Sequence, residues 1–186
     1  MKRKLSNLIM VALICVIAAA GIWAAVILRG NSPENQLGSD FSGVTLENET
    51  GEHLCSITIM CETALENRER LNTGKLAFLP ANGILLAETE VVFHPGDTAF
   101  DVLRRTCEKG GIQLEYSWTP LYDSYYIEGI NHLYEFDCGP ESGWMYRVNG
   151  EFPNYGCSSY EVKDGDRILW CYTCEGLGTD VGTKVE

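Results

Sequence analysis

The side chains in this sequence best suited to act on a metal, a thiol or a carbonyl are eight cysteines and three histidines, and spacing decides what they can do. His53, His94 and His132 are far apart. No His-Glu-x-x-His pair and no Gly-x-Ser-x-Gly elbow supplies a nucleophile with its base. Cys171 and Cys174 have the spacing of zinc knuckles and redox dithiols. They fall in "RILWCYTC", however, a β-leaning run whose extended backbone sends the two sulfurs to opposite faces. Asp164-Gly165-Asp166 reads as a turn, because the further oxygen ligands of a calcium loop do not follow it. No glycine loop is placed to cradle phosphate. The expectation is a protein with no catalytic residues and no metal site, not an enzyme.

Cys55, Cys61, Cys107, Cys138, Cys157, Cys171 and Cys174 all follow the N-terminal apolar segment, and their odd number leaves at least one thiol unpaired. Cys55 and Cys61 share one strand face about 20 Å apart at roughly 3.3 Å per residue, too far to join if that strand is straight. Cys138 and Cys157 flank the Asn149-Gly150 hairpin signal almost symmetrically and are the expected disulfide.

The remaining chemistry is aromatic. All nine tyrosines lie between Tyr116 and Tyr172, together with Trp118, Trp144 and Trp170. Trp144, Tyr146 and Val148 share one strand parity, and Ile168, Trp170, Tyr172 and Cys174 share another, which predicts sheet core. Tyr122, Tyr125, Phe152 and Tyr155 instead sit among turn residues such as Pro120, Pro153 and Gly156. Their position predicts a partly exposed apolar platform for a planar ligand, a sugar or a partner protein.

The elements that must carry these residues begin after an N-terminal address. Lys2, Arg3 and Lys4 precede residues 8–28, which hold no charge and span about 31 Å as a helix at roughly 1.5 Å per residue. The length favours an uncleaved transmembrane anchor over a signal peptide, although the alanines at 18–20 and 24–25 could host a peptidase. The cations before the span put the N-terminus in the cytoplasm and the rest outside, as a single-pass protein of the cell membrane. Beyond Arg29, ten cations face all 26 acids, a formal charge of −16, which disfavours nucleic acid as a partner. Residues 30–53 read as a flexible stalk, and 54–182 as one domain.

In that domain "HLCSITIMCET" alternates like a strand, Glu90 to Phe93 suggest a second, and "TAFDVLRRTCEKGG" changes to helical spacing with a Thr98–Asp101 capping box and a Gly110-Gly111 stop. "IQLEYSW", "SYYIEGI", "HLYEFD", "GWMYRVN" and "DRILWCYTC" follow as short β-leaning runs. The predicted architecture is α+β, a small mixed sheet with one packed helix, preceded by the single transmembrane helix.

The run "YIEGINHLYEFDCGPESGWMYRVNGEFPNYGCSSYEVKDGDRILWCYTCEGLGTDVG", residues 126–182, resembles the transcobalamin-like C-terminal domain family of bacterial cell-surface proteins. "CSITIMCETAL" and "GDTAFDVLRRTCEKGGIQLEYSWTP" fit the same family. Gly143-Trp144-Met145-Tyr146, Val148-Asn149-Gly150 and Lys163-Asp164-Gly165-Asp166 carry the likeness in order and spacing. It implies a β-grasp-like topology and relationship to the domain of the vitamin B12 carriers that caps one face of the corrinoid. The function expected is therefore extracytoplasmic binding of a corrinoid or other small ligand. The alternative is a cell-surface module that binds protein or glycan.

Overall fold

The structure is a computed structural model in which residues 52–182 are described. The candidate membrane segment at 8–28 and most of the stalk lie outside the described residues. No helix among the described residues is long and apolar enough to cross a membrane.

Strand β1, His53–Met60, buries Cys55, Ile57 and Ile59 and leaves the intervening side chains half-buried, as its alternation requires. It pairs antiparallel with β2, Ile84–Phe93, and parallel with β7, Arg167–Thr173, while β6, Gly143–Val148, pairs antiparallel with β7. The resulting mixed sheet has the order β2-β1-β7-β6. Between β1 and β2 lies a five-residue helix, α1, Glu62–Glu66, too short to produce a helical period in the sequence. β2 begins six residues before the strand expected at Glu90. It is an edge strand, so its first nine residues are half or fully exposed and carry little alternation.

Helix α2, Ala99–Gly110, has both predicted stops. Asp101 N–H donates to Thr98 Oγ1 at 3.3 Å, Thr98 N–H donates back to the Asp101 carboxylate at 3.0 Å, and Gly111 closes the helix in the left-handed region at φ 64°. Phe100, Leu103 and Cys107 enter the same core as Ile57, Ile59 and Trp170.

A second sheet, order β3-β4-β5, was not expected: β3, Leu114–Thr119, β4, Ser124–Ile130, and β5, Leu133–Tyr134, pair only with each other and only antiparallel. The sequence marks strands but not partners, so one sheet became two. Ile127, Ile130 and Leu133 carry this layer into the common core. Polar tips join the sheets: Trp144 Nε1 donates to the Leu133 carbonyl at 2.9 Å and Tyr172 OH to that of Tyr134 at 2.7 Å.

Asn149 and Gly150 both take positive φ, 54° and 89°, as a two-residue hairpin turn demands. Val148 and Glu151 bond to each other across it, and there pairing stops, two residues before Pro153. The chain then leaves β6 and runs to the start of α2, where the Cys157 carbonyl accepts from Phe100 N and the Tyr160 carbonyl from Ala99 N. Along this excursion Cys157 finds neighbours of its own. Cys138 and Cys157 are free thiols; Cys138 lies against the Asn67 carbonyl and beside Cys174, whereas Cys157 faces the Tyr125 carbonyl.

Candidate aromatic recognition surface

The β3–β4 hairpin holds its two strands by a turn in which Tyr122 N–H donates to Thr119 O, and Asp123 adopts φ 47°. Register places Trp118 opposite Tyr125 and Tyr116 opposite Ile127, so these four share a face. On that face the rings interlock. Tyr125 stacks on Phe100 of α2 with centroids 4.3 Å apart and planes 23° apart. Tyr116 meets both rings edge-on at 4.8 and 5.2 Å, and Trp118 meets Tyr125 edge-on at 5.1 Å. The cluster is anchored below and open above: Phe100 is buried and Tyr125 half-buried, whereas Trp118 is 48% exposed. At the hairpin tip Leu121 is 82% and Tyr122 69% exposed.

The opposite side of the hairpin is lined with carboxylates. Tyr126 OH donates to Glu135 at 2.7 Å, and Tyr134 OH donates to Glu115. Burial, and then the bond to Glu135, push the Tyr126 hydroxyl far above its ordinary range. It therefore stays a neutral donor near neutral pH.

Of the four residues expected in the platform, the structure brings Tyr125 and Tyr155 to one junction. Tyr125 N–H donates to Ser158 Oγ at 3.0 Å, Ser158 N–H donates to Ser124 Oγ at 3.2 Å, and Tyr155 stacks on Tyr160 next to this seam. The seam is tight. A Cβ on Gly156 would meet the Ser124 side chain at 2.2 Å, so only glycine fits. Tyr122 stands at the tip of the same hairpin. Phe152 does not join them; its ring lies 6.0 Å from the guanidinium of Arg147, whose register puts it on the outer face of the four-stranded sheet. Tyr125 is an anchor of the cluster more than a contact surface. Trp118, Tyr116 and Leu121 were missed although Pro120 sits between two aromatic runs, a signal for a hairpin with rings on both sides.

None of the five principal concavities among the described residues is lined by Tyr116, Trp118, Tyr122 or Tyr126. With Trp118, Leu121 and Tyr122 all exposed, the aromatic surface is open to solvent.

The cysteines and histidines offer less. Burial pushes the thiols of Cys61 and Cys107 up to about 12 and those of Cys55 and Cys171 up to about 11, so they remain protonated near neutral pH. Cys171 and Cys174 do lie on opposite faces of the strand line, the first paired in register with Met145 and Met60, the second in the core. His53 Nδ1 bonds Asp164 at 2.8 Å, and the His132 ring lies tilted at 45° against that of Phe78. Among the described residues no three His, Cys, Asp or Glu side chains are grouped to hold a metal ion. Asp164-Gly165-Asp166 is a structural turn: Asp164 accepts from Leu54 N, and buried Asp166 accepts from Asn149 Nδ2, Tyr160 OH and Lys163 N.

Residues 96–174, from the turn before α2 through β7, match the model of a domain of unknown function, DUF4430. No curated protein matches the sequence. Among solved structures, the chain is similar to a protein of Ruminococcus gnavus ATCC 29149 described as a candidate metal-binding protein. The two are 14% identical, the match covers 66% of this chain and 97% of that one, and the TM-score is 0.40. It is also similar to haptocorrin in complex with Cbi, at 15% identity and a TM-score of 0.42. That match covers 66% of this chain and only 25% of the haptocorrin chain.

Proposed function

We propose that this protein is a membrane-anchored extracytoplasmic binding domain that recognises its partner by stacking on the open rings of the β3–β4 hairpin. One observation carries the reading: Trp118 and Tyr122 are 48% and 69% exposed on a hairpin fixed from beneath by Phe100 and Tyr125. Leaving such rings in water forgoes their burial, and a fixed ring loses little entropy when a ligand covers it. A flat, open surface of fixed rings suits a surface glycan, whose apolar sugar faces stack on aromatic side chains. The anchor at 8–28 and the outward orientation rest on the uncharged span and the cations before it. The reading includes no reaction, in keeping with scattered histidines and thiols held protonated by burial.

A corrinoid is the second reading, favoured by the sequence resemblance over residues 126–182. The sheet order β2-β1-β7-β6, with its central parallel pair, supports the β-grasp-like topology that the resemblance implies. A planar ring system would lie on the platform as one wall, with a partner supplying the other. Titration of the full chain with cobalamin and cobinamide, read by absorbance, beside a panel of bacterial cell-wall glycans read by calorimetry, separates the two. Binding of a glycan that Trp118→Ala abolishes supports the first. Corrinoid binding with no glycan binding replaces it with the second, and binding of either that ignores Trp118→Ala removes the platform from the site.

A further inference from the structure

The outer face of the four-stranded sheet sorts its side chains by polarity. Register sets its side chains in rows that cross β6, β7 and β1: Met145, Cys171 and Met60 in one, Arg147, Leu169 and Thr58 in the next, with Arg167 and Ser56 beyond. The first row is apolar, the last polar, and Arg147 stands at the change. Glu88 of β2 takes both forks of Arg167, at 2.9 and 3.3 Å, and accepts from Ser56. Arg105 is held by Asp97, Arg104 by Glu108, and Arg70 by the Cys174 carbonyl. Arg147 has no carboxylate or carbonyl partner among the described residues. Arg147 is half-buried and in register with Leu169, with the Phe152 ring centroid 6.0 Å from its guanidinium carbon. Two adjacent concavities share it. The larger is about 520 Å³ and includes Thr58, Met60 and Leu169, with Glu88 tied to Arg167 at its rim; the other, about 270 Å³, continues past Cys171 and carries the carboxylates of Glu62, Glu66 and Asp180, which repel an anion and leave it the larger one.

We infer that this trough is a binding site for a small organic monocarboxylate, whose charged end is gripped by Arg147 and whose apolar body lies on Leu169 and Met60. A single unpaired guanidinium presents two parallel donors to a planar carboxylate, which one such fork can satisfy. A phosphate dianion would call for a second cation, and Arg167 is already committed to Glu88. The volume is within the usual range of roughly 300–1,000 Å³ for small-ligand sites. The chain's net charge of −12 repels anions at long range, so capture depends on short-range bonds and apolar cover, and affinity is modest. The site is separate from the aromatic platform and does not rest on it.

The test is titration of the full chain with benzoate and with benzyl alcohol, its uncharged counterpart, followed by NMR signals of the Arg147 side-chain N–H and the Met60 methyl. Expected are saturable benzoate shifts at both groups, binding of benzyl alcohol weaker by about tenfold or more, and a similar loss in Arg147→Met, the size of one charge-assisted contact. Trp118→Ala should leave benzoate binding unchanged. Absence of saturable shifts at high-millimolar benzoate, equal binding of the alcohol, or shifts centred on Trp118 would each overturn the assignment. The alcohol comparison and the location of the shifts use the unmutated protein, so they decide the matter even if Arg147→Met is unstable. An arginine that merely covers the floor with its stem would give equal binding of the two probes.

Discussion

The inner face of the four-stranded sheet and the β3–β4 hairpin are both rich in large rings, yet they use them in opposite ways. On the sheet, Trp144 is 7% exposed and packs edge-on against buried Tyr172, and Tyr146 stacks on Trp170 at 5.4 Å. Most polar tips there find partners, the Trp170 indole nitrogen being the one buried side-chain N or O without one among the described residues. On the hairpin the rings also interlock, but they rest on buried Phe100 of α2 and the outermost ones face water. A ring whose face and polar tip are both satisfied is structure. A ring held at its edge with its face free is available to a ligand. Strand parity cannot make that distinction, because it reports which side of a strand a residue takes and not whether another layer covers that side.

Truncation should separate the two regions. Trp144→Ala removes a buried ring and the indole bond that joins the sheets, and is expected to cost about 3–5 kcal/mol, enough to unfold much of the protein in a denaturant titration. A melt like that of the unmutated chain would show the inner face to be no core. Tyr125→Ala tests the anchor of the hairpin. It is half-buried and touches Phe100, Tyr116 and Trp118, so a loss of roughly 2 kcal/mol is expected, together with weaker binding on the platform. Binding lost at unchanged stability would turn Tyr125 back into a contact residue. Thr98→Ala removes the cap on the helix that carries Phe100 and should lower stability by about 1 kcal/mol, without altering the fluorescence of the sheet tryptophans.

How far each region could be read in the sequence follows from the same contrast. The α2 caps, the Asn149-Gly150 turn and the inner parity of Trp144 and Trp170 are local patterns, and each has its local cause in the structure. The second sheet and the early start of β2 depend on partners far along the chain, which spacing does not encode. For the candidate site, adjacency to turns marked Tyr122, Tyr125 and Tyr155 as partly exposed, and Tyr122 and Tyr155 are exposed while Tyr125 is half-buried. What spacing could not show is the stacking partner of Tyr125, Phe100, which comes from a helix 25 residues earlier.

Acid should act on the frame and spare the platform. The bond from Arg105, aided by the backbone of His94, holds the Asp97 carboxyl below the ordinary carboxylate range. A carboxyl depressed in the folded state contributes stability that is complete above its unfolded value, about 3.9, and is lost as pH falls through the lower folded value. Asp97→Asn should therefore flatten the acid limb of the stability profile below about pH 4 and leave neutral-pH binding intact. An unchanged acid limb would show the Asp97–Arg105 pair to be uncoupled from folding. The smallest effects on stability are expected for Trp118→Ala, Tyr122→Ala and Tyr155→Ala, each within about 0.5 kcal/mol, with glycan binding reduced. A large drop in melting temperature for any of them would move that ring from recognition to core.

The central parallel pair has a bearing on how the protein is made. Ser56 meets Arg167 and Met60 meets Cys171, so the middle of the main sheet joins the first strand of the domain to the last across about 110 residues. As the chain is synthesised from its N-terminus, β1 and β2 can pair early, but the other edge of β1 stays open until β7 emerges. Folding is thus closed by the final strand and should be slow for a domain of this size, on the order of milliseconds to seconds. For that interval an unpaired edge backed by Cys55, Ile57 and Ile59 is exposed to other chains, and any truncation that removes β7 makes the interval permanent.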